Sequence, residues 1–272
     1  MLGKKQRISN DEWIEAVKNI RDTVKKKDLD IKVKATVKNI KEKTAGKKAA
    51  YCWSAGKDSL VLGKLCEKAG IKDCVLVVSD LEYPAFSTWV EEHKPEGLTI
   101  INTHQNLDWL SKHQQMLFPQ DSKAAAQWFH IVQHRGQAEY FKDKDLDMLI
   151  LGRRRADGNY VGKGTNIYTN RQGVTRFSPL ADWTHEDILA YIDYYDVAMP
   201  PIYGWKNGYL CGTHPWPARQ WTESIENGWK EIWDIDHSIV EEAAGYLDSA
   251  KEFLQSCSSD MPLTPSEKEV QS

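Results

Sequence analysis

Between Ala49 and about Arg154, short apolar runs alternate with amphipathic stretches of helical length, and this alternation limits the folds open to the chain more than any other feature. "AAYCWS" is followed by "SLVLGKLCEKAG", "DCVLVVSD" by "AFSTWVEEHK", and "LTIINT" by "LDWLSKHQ"; a helical "AEYFKDKDL" then precedes "DMLILGRR". Strands and helices in this order predict an α/β fold, a doubly wound and mostly parallel sheet covered on both faces. Ligands of such sheets sit beyond the carboxyl ends of the strands. The segments to inspect are therefore "SAGKDS", "SDLEYP", "NTHQN" and "GRRRADG".

Helical extensions are expected on either side of this body. Ser9 to Glu12 reads S-x-x-E, a capping-box pattern, so a first helix starts near Asn10 with Trp13, Ile14, Val17, Ile20 and Val24 at helical spacing. A second pattern, Ile31, Val33, Val37 and Ile40, ends near Gly46. Residues 1–48 thus read as a basic helical N-terminal extension and 49–216 as the ligand-binding domain. Amphipathic helices then fill 217–257, and the polar residues 258–272 read as a disordered tail. "NYVGKGTNIYTNRQGVTRFSP" reads as a long loop with a hairpin at "NRQG", and Thr184 as the N-cap of a helix with Asp187 three residues on.

With 41% apolar residues among 272, the chain can bury a substantial core. No apolar run is long enough to cross a bilayer, and no apolar segment follows the N-terminal charges, so a cytoplasmic protein is expected, without membrane partners. The five cysteines are scattered, with no C-x-x-C pair, and reduced thiols are the expectation. The net charge of −3 conceals a basic N-terminal arm: residues 1–50 carry 15 Lys and Arg against 7 Asp and Glu. That arm suits a polyanion or a protein partner, and equally an ordinary solvated helix face.

At "YCWSAGKDSL" a strand passes through small residues into a helix, which aims backbone N–H groups and a positive helix end at one point, an anion site. Ala55 and Gly56 permit close approach, Ser54 and Ser59 supply hydroxyls, and Lys57 supplies charge; Asp58 suits a helix cap or a metal bound to phosphate. The same residues also suit an ordinary strand-to-helix turn. A Walker A loop is excluded, because Tyr51 stands where its first Gly must be and Asp58 replaces its Ser or Thr.

"SAGKDS" resembles the S-G-G-x-D-S signature of the PP-loop ATP-pyrophosphatases, the adenine nucleotide alpha hydrolase superfamily. Further blocks follow in the order found in phosphoadenosine phosphosulfate (PAPS) reductases. "VSDLEYPAFSTWVEE" resembles their "DTGxxFPET" region, "DMLILGRRRADG" their "DAWITGxRRxQS", and "FSPLADWTHEDILAYI" their "xHPLxDWTxxDVxxYI"; "MPPIYGWKNGYLCGTH" stands where they have "xHPLYxxGYxSIGDTH".

The resemblance implies that residues Ser54 to Ser59 bind the phosphates of ATP, or of PAPS or adenosine phosphosulfate, with Lys57 and Asp58 catalytic. It also implies Asp80 near the adenosine, Arg153 and Arg154 on phosphate or sulfate oxygens, and Mg²⁺ as the companion ion. The two arginines also suit an ion-paired surface cluster, and Asp182 and Trp183 read as structural. The chain departs from the reductases in lacking an "E-C-G-x-H" tail and adjacent cysteine pairs, so no iron–sulfur cluster is expected. Cys211 and His214 read either as half a zinc site or as a buried thiol beside a surface histidine.

Three functions follow from these residues. The first is cleavage of the α–β phosphate linkage of an adenine nucleotide, for nucleotidyl transfer or anion activation. The second is PAPS or adenosine phosphosulfate reduction through an atypical cysteine, Cys211 or Cys257. The third is a nucleotide-sensing or nucleic-acid-associated regulator. A homodimer is compatible with each.

Overall fold

A computed structural model describes residues 2, 8–220 and 222–259. Six strands form one sheet in the order β3-β2-β1-β4-β6-β5. They are β1 (Ala49–Cys52), β2 (Cys74–Val78), β3 (Leu98–Asn102), β4 (Met148–Ile150), β5 (Ile167–Thr169) and β6 (Thr175–Phe177). All neighbours pair in parallel except β5 with β6, the hairpin expected at "NRQG". The long loop of the sequence reading therefore carries a strand, since β6 runs beside β4 with Leu149 opposite Arg176.

Helices α1 (Asn10–Lys18), α2 (Ile20–Thr23) and α3 (Lys26–Thr44) precede the sheet, and α4 (Lys57–Ala69) follows β1 directly. Next come α5 (Pro84–His93), α6 (Leu107–Ser111), α7 (Ser122–Trp128) and α8 (Arg135–Asp143), the last two joined by a π-helical segment, Phe129–His134. After the hairpin lie α9 (His185–Tyr194), α10 (Gly208–Cys211), α11 (Ile225–Ile235), α12 (His237–Ala243) and α13 (Asp248–Ser259). The tail expected to be disordered lies outside the described residues from 260 onward.

Both predicted N-caps are observed as capping boxes, Ser9 with Glu12 and Thr184 with Asp187. The apolar stripe of α3 is turned from the one expected: Leu29, Val33, Thr36 and Ile40 are buried, whereas Ile31 is 60% exposed. Positions 29, 33, 36 and 40 keep the spacing of one helical face and Ile31 falls off it. Lys34, Lys38 and Lys41 border an open groove of about 590 Å³ on α3, with Asp30 and Glu42 among them.

One hydrophobic cluster runs from Trp13, Ile20 and Leu29 through Leu62 and Ile188 to Trp229 and Phe253, so the helices at both ends share the core of the sheet. The other face of the sheet packs Ala50, Val75, Leu149 and Val174 against Tyr140 of α8. Gly136 brings α8 onto the strands, for a methyl group there would lie 2.5 Å from Val77 Cγ1. From β1 the chain proceeds to β2 and β3 on one side and returns to β4 on the other. The carboxyl ends of β1 and β4 therefore flank the point where strand order reverses, the crevice in which open α/β sheets hold ligands.

Candidate functional site

The loop after β1 is held by hydrogen bonds within itself and by chain from more than 140 residues away. Ser54 N–H donates to Ser59 Oγ at 3.0 Å, and that hydroxyl donates to the Gly56 carbonyl at 2.9 Å. Thr213 Oγ1 donates to the Ser54 carbonyl at 2.8 Å, and Lys57 N–H donates to the Tyr203 hydroxyl at 2.8 Å. A methyl group on Gly56 would press on Thr213 Oγ1 at 3.2 Å and on Ser54 Oγ at 3.3 Å. Ala55, fully buried, adopts φ 54°, a left-handed conformation that costs an L-residue about 1 kcal/mol.

Against this loop lies a set of paired charges, of which Lys57, Asp58 and Asp157 also line the cavity at the strand ends. Lys57 Nζ is 2.7 Å from Asp58 Oδ2, and Arg154 Nε is 2.8 Å from Asp58 Oδ1. Arg154 also donates to Asp157 Oδ1 at 3.0 Å and to the Trp183 carbonyl at 3.3 Å, and its side chain is wholly buried. The ring of Trp13 completes the enclosure from α1: Lys57 Nζ sits 5.0 Å from its centroid, a cation–π distance. His185 stands edge-on to the same ring at 4.8 Å and lies 3.1 Å from Arg154 Nη2. Burial, reinforced by Arg154 and Lys57, depresses the His185 pKa to about 4 and keeps its ring neutral.

In front of the loop a cavity of about 450 Å³ opens at the strand ends, a size suited to a small-molecule ligand. Ser54, Gly56, Lys57, Asp58, Ser59 and Arg153 line it, together with Cys52, His134 and His214. The π-helical segment supplies Phe129, Gln133 and His134 to this wall, a distortion frequent at functional sites. Arg153 Nη1 donates to the Tyr168 hydroxyl at 3.0 Å, and its Nη2 lies 3.0 Å from His134 Nε2. Burial, then the neighbouring Arg176 and Arg153, brings the His134 pKa to about 4, so this ring is neutral and accepts from Arg153. Burial pushes the Cys52 thiol up to about 12 despite both arginines.

Three predicted residues fall outside this cavity, Arg154, Asp80 and Ala55. Arg154 turns behind the loop, because its backbone is extended (φ −130°, ψ 150°) and adjacent residues of extended chain point opposite ways. Asp80 is exposed, bonded to Asn102, and lines a separate cavity of about 320 Å³ with Glu82 and Asn106. Ala55 supports the loop from within the core. Trp183 is buried, as expected of a structural residue, and its indole donates to Thr36 Oγ1 at 3.0 Å. Cys211 is buried, donates to the Gln220 carbonyl at 3.5 Å, and its thiol is pushed up by burial. His214 instead packs its ring against Phe129 on the cavity wall.

Trp13, Arg176, Tyr203 and Thr213 are the contributors that sequence reasoning missed. Thr213 lies in the "LCGTH" block, whose resemblance carried a hint of its place. Trp13 and Arg176 carry no local signal, being an apolar helix position and a lone basic residue in a presumed loop.

The phosphoadenosine phosphosulfate reductase domain matches residues 48–210, more than half of the chain. The chain belongs to this family. Relatives of the family include the phosphoadenosine 5'-phosphosulfate reductase of Vibrio campbellii, 20% identical over 154 residues that make up 55% of this chain and 58% of that protein. The phosphoadenosine phosphosulfate reductase of Emericella nidulans is 24% identical over 108 residues, 40% of this chain and 33% of its own length. The chain thus spans little more than half of one relative and a third of the other.

Among solved structures, PAPS reductase from Candida auris in a phosphate complex covers 67% of this chain and 94% of its own, with a TM-score of 0.49 and 16% identity. NMN synthetase from Francisella tularensis covers 88% and 98%, with a TM-score of 0.44 and 15% identity. No helix among the described residues is long and apolar enough to cross a membrane.

The carboxylates near the loop do not suit the expected Mg²⁺. A hard cation wants carboxylate oxygens turned toward it. Here Asp58 gives one oxygen to Lys57 and the other to Arg154, and Asp157 faces Arg154 as well. Among the described residues no group of three His, Cys, Asp or Glu side chains converges on a metal position.

Proposed function

We propose that this member of the PAPS reductase domain family binds an adenine nucleotide with its phosphates against the Ser54–Ser59 loop and opens the α–β phosphate linkage. The observation that carries this reading is the loop itself. Its serines and the amino end of α4 border the cavity, and remote residues, Tyr203 and Thr213, hold it in shape. Phosphoryl and nucleotidyl transfer ask mainly for positioning and for fixed dipoles facing the developing charge. The start of α4 supplies its dipole and Arg153 a cation at the same cavity, and the two serine hydroxyls, bonded in series to the Gly56 carbonyl, would turn from that chain to meet a phosphate. Lys57 and Asp58 line the same cavity and pair with each other in the first turn of α4, and Asp58 holds the buried Arg154.

The test is incubation with ATP and MgCl₂, following nucleotide products and pyrophosphate by chromatography. Pyrophosphate release is expected in the wild type and lost in both Lys57→Ala and Asp58→Ala. Unchanged release and unchanged ATP affinity in both variants would sink the reading.

Cys52 supports a second reading, reduction of PAPS, because it is the cysteine that lines the cavity among the described residues. Its half-buried, protonated thiol is a poor nucleophile, which ranks this reading below the first. Sulfite formed from PAPS and reduced thioredoxin, and lost in Cys52→Ser, would reverse that order.

A further inference from the structure

The N-terminal extension carries positive charge that the rest of the protein does not take up. Residues 1–50 hold 15 Lys and Arg against 7 Asp and Glu. Among the described residues, the ion pairs that leave this extension for the body are Arg21 with Asp193, Lys32 with Asp187 and Lys48 with Asp145. On α3, Lys27, Lys34 and Lys41 have no ion pair among the described residues, and Lys38 has Glu42 at 3.8 Å. Lys27, Ile31, Lys34, Lys38 and Lys41 are all exposed and recur at the spacing of one helical face, opposite the buried Leu29, Val33, Thr36 and Ile40.

Three of these lysines, Lys34, Lys38 and Lys41, line the open groove of about 590 Å³ beside α3, and Lys68 of α4 is the fourth. Lys68 is held by aromatic rings and not by a carboxylate. Its Nζ lies 4.5 Å from the centroid of Tyr195 and 5.3 Å from that of Tyr191, whose hydroxyl it reaches at 3.1 Å. A cation positioned on a ring keeps its charge for an outside anion. Of the two carboxylates that line the groove, Asp30 accepts from the Tyr195 hydroxyl at 2.5 Å and from Lys26 at 3.1 Å, and Glu42 faces Lys38. Val33, Val37 and the Tyr195 ring supply an apolar lining between the lysines. Lys34 to Lys41 span about 10 Å of helix axis, far enough to meet more than one phosphate of a strand.

We propose that the groove lined by α3, Lys68 and Tyr195 is a docking surface for single-stranded nucleic acid, held by its sugar–phosphate backbone without reading of sequence. Lysines that follow a groove with an apolar lining suit a single strand, whose phosphates meet the cations while its sugars and bases rest on apolar side chains. A duplex shows such a groove only its phosphates. Lys34, Lys38 and Lys41 precede the family match at residues 48–210, so the surface belongs to this chain's own extension. It has no lining residue in common with the strand-end cavity, and it does not depend on the reaction proposed above.

The full chain is titrated into a fluorescein-labelled oligothymidylate of about 20 nucleotides, longer than one site of this kind, and binding is followed by anisotropy. Saturable binding is expected at about 50 mM KCl, weakening about 20-fold to 50-fold at about 200 mM, as three or four neutralised phosphates require. The double variant Lys34→Gln, Lys41→Gln should bind about tenfold or more weakly and show a salt slope shallower by about 1.4. Lys230→Gln with Lys251→Gln, exposed on α11 and α13, changes the net charge equally and should bind as the wild type does. All four side chains are exposed, so both double variants are expected to fold. The proposal is overturned by absence of saturable binding, by an affinity indifferent to salt, or by an equal loss in the two double variants. Displacement of the strand by saturating ATP would assign it to the Ser54–Ser59 loop and also overturn the groove. Tighter binding of a duplex of the same length would replace the single strand, and displacement by polyglutamate as effective as that by unlabelled oligothymidylate would replace it with an acidic polypeptide.

Discussion

Against the Ser54–Ser59 loop two buried cations, Lys57 and Arg154, share the carboxylates of Asp58 and Asp157; past the ends of β4 and on β6 two more, the half-buried Arg153 and the buried Arg176, have no ion pair among the described residues. The first set is closed by aromatic walls from α1 and α9 and serves the shape of the loop. Arg153 of the second lines the cavity, as do Lys57, Asp58 and Asp157 of the first, so what separates the two sets is counter-charge and not access. Arg153 and Arg154 are neighbours in sequence, yet one residue of extended backbone separates a structural cation from a ligand-seeking one. A basic cluster read from sequence therefore says little until each charge has been matched with its counter-charge.

The largest effect that would test this contrast lies on the closed side. Trp13 is fully buried, and Trp13→Ala should cost about 4 kcal/mol in urea unfolding, the usual loss for a large aromatic truncated in a core. It should also weaken nucleotide binding, because Lys57 loses the ring that covers it, although Trp13 lies outside the family match at residues 48–210. Trp13→Phe should restore most of the stability. Asp58→Ala comes next at about 3 kcal/mol, less than the full penalty for a broken buried pair because the Asp58 side chain is 24% exposed. The mirror experiment on the unpaired set is Arg153→Gln, which removes a half-buried like charge and should change stability by less than about 1 kcal/mol in either direction. Equal costs for Asp58→Ala and Arg153→Gln would break the contrast between the two sides.

Much of this architecture was legible in the sequence, and the parts that were not share a cause. β1 to β4, the helix after the loop and both capping boxes depend on local pattern, which alternation and cap chemistry report directly. The departure from S-G-G-x-D-S at Ala55 was visible too, and it falls where the backbone takes φ 54°. The missed features are long-range. β6 is three residues long and gains its place from pairing with β4, and Arg176 meets Gln137 only through that pairing. Tyr203 and Thr213 meet the loop across more than 140 residues, and Trp13 meets Lys57 across 44. Asp80 follows β2 as expected, but it turns toward Asn102 of β3 and so leaves the loop's cavity.

The smallest and most discriminating effect concerns two histidines, one on each side of the loop. His134 and His185 both have pKa values near 4, below the ordinary 6.5, chiefly through burial and secondarily through nearby cations. Each is neutral in the folded protein and takes a proton only as the pH falls toward 4, whereas in the unfolded chain it charges below about 6.5. Stability from both is therefore present above 6.5 and lost as the pH falls through that window. An anion bound at Arg153 distinguishes them. His134 faces Arg176, Arg153 and His130, and an oxyanion bound there offsets their repulsion of the imidazolium. Its pKa should rise by about one unit, stopping short of 6.5 because the ring stays buried. His185 faces Arg154, Lys57, Asp58 and Glu186, a set that already contains its own carboxylates, and should not move. Proton NMR titration of the imidazole resonances with and without saturating sulfate measures both at once. A rise confined to His134 locates the anion at Arg153, and a rise confined to His185 would place it at Arg154 and Lys57 instead.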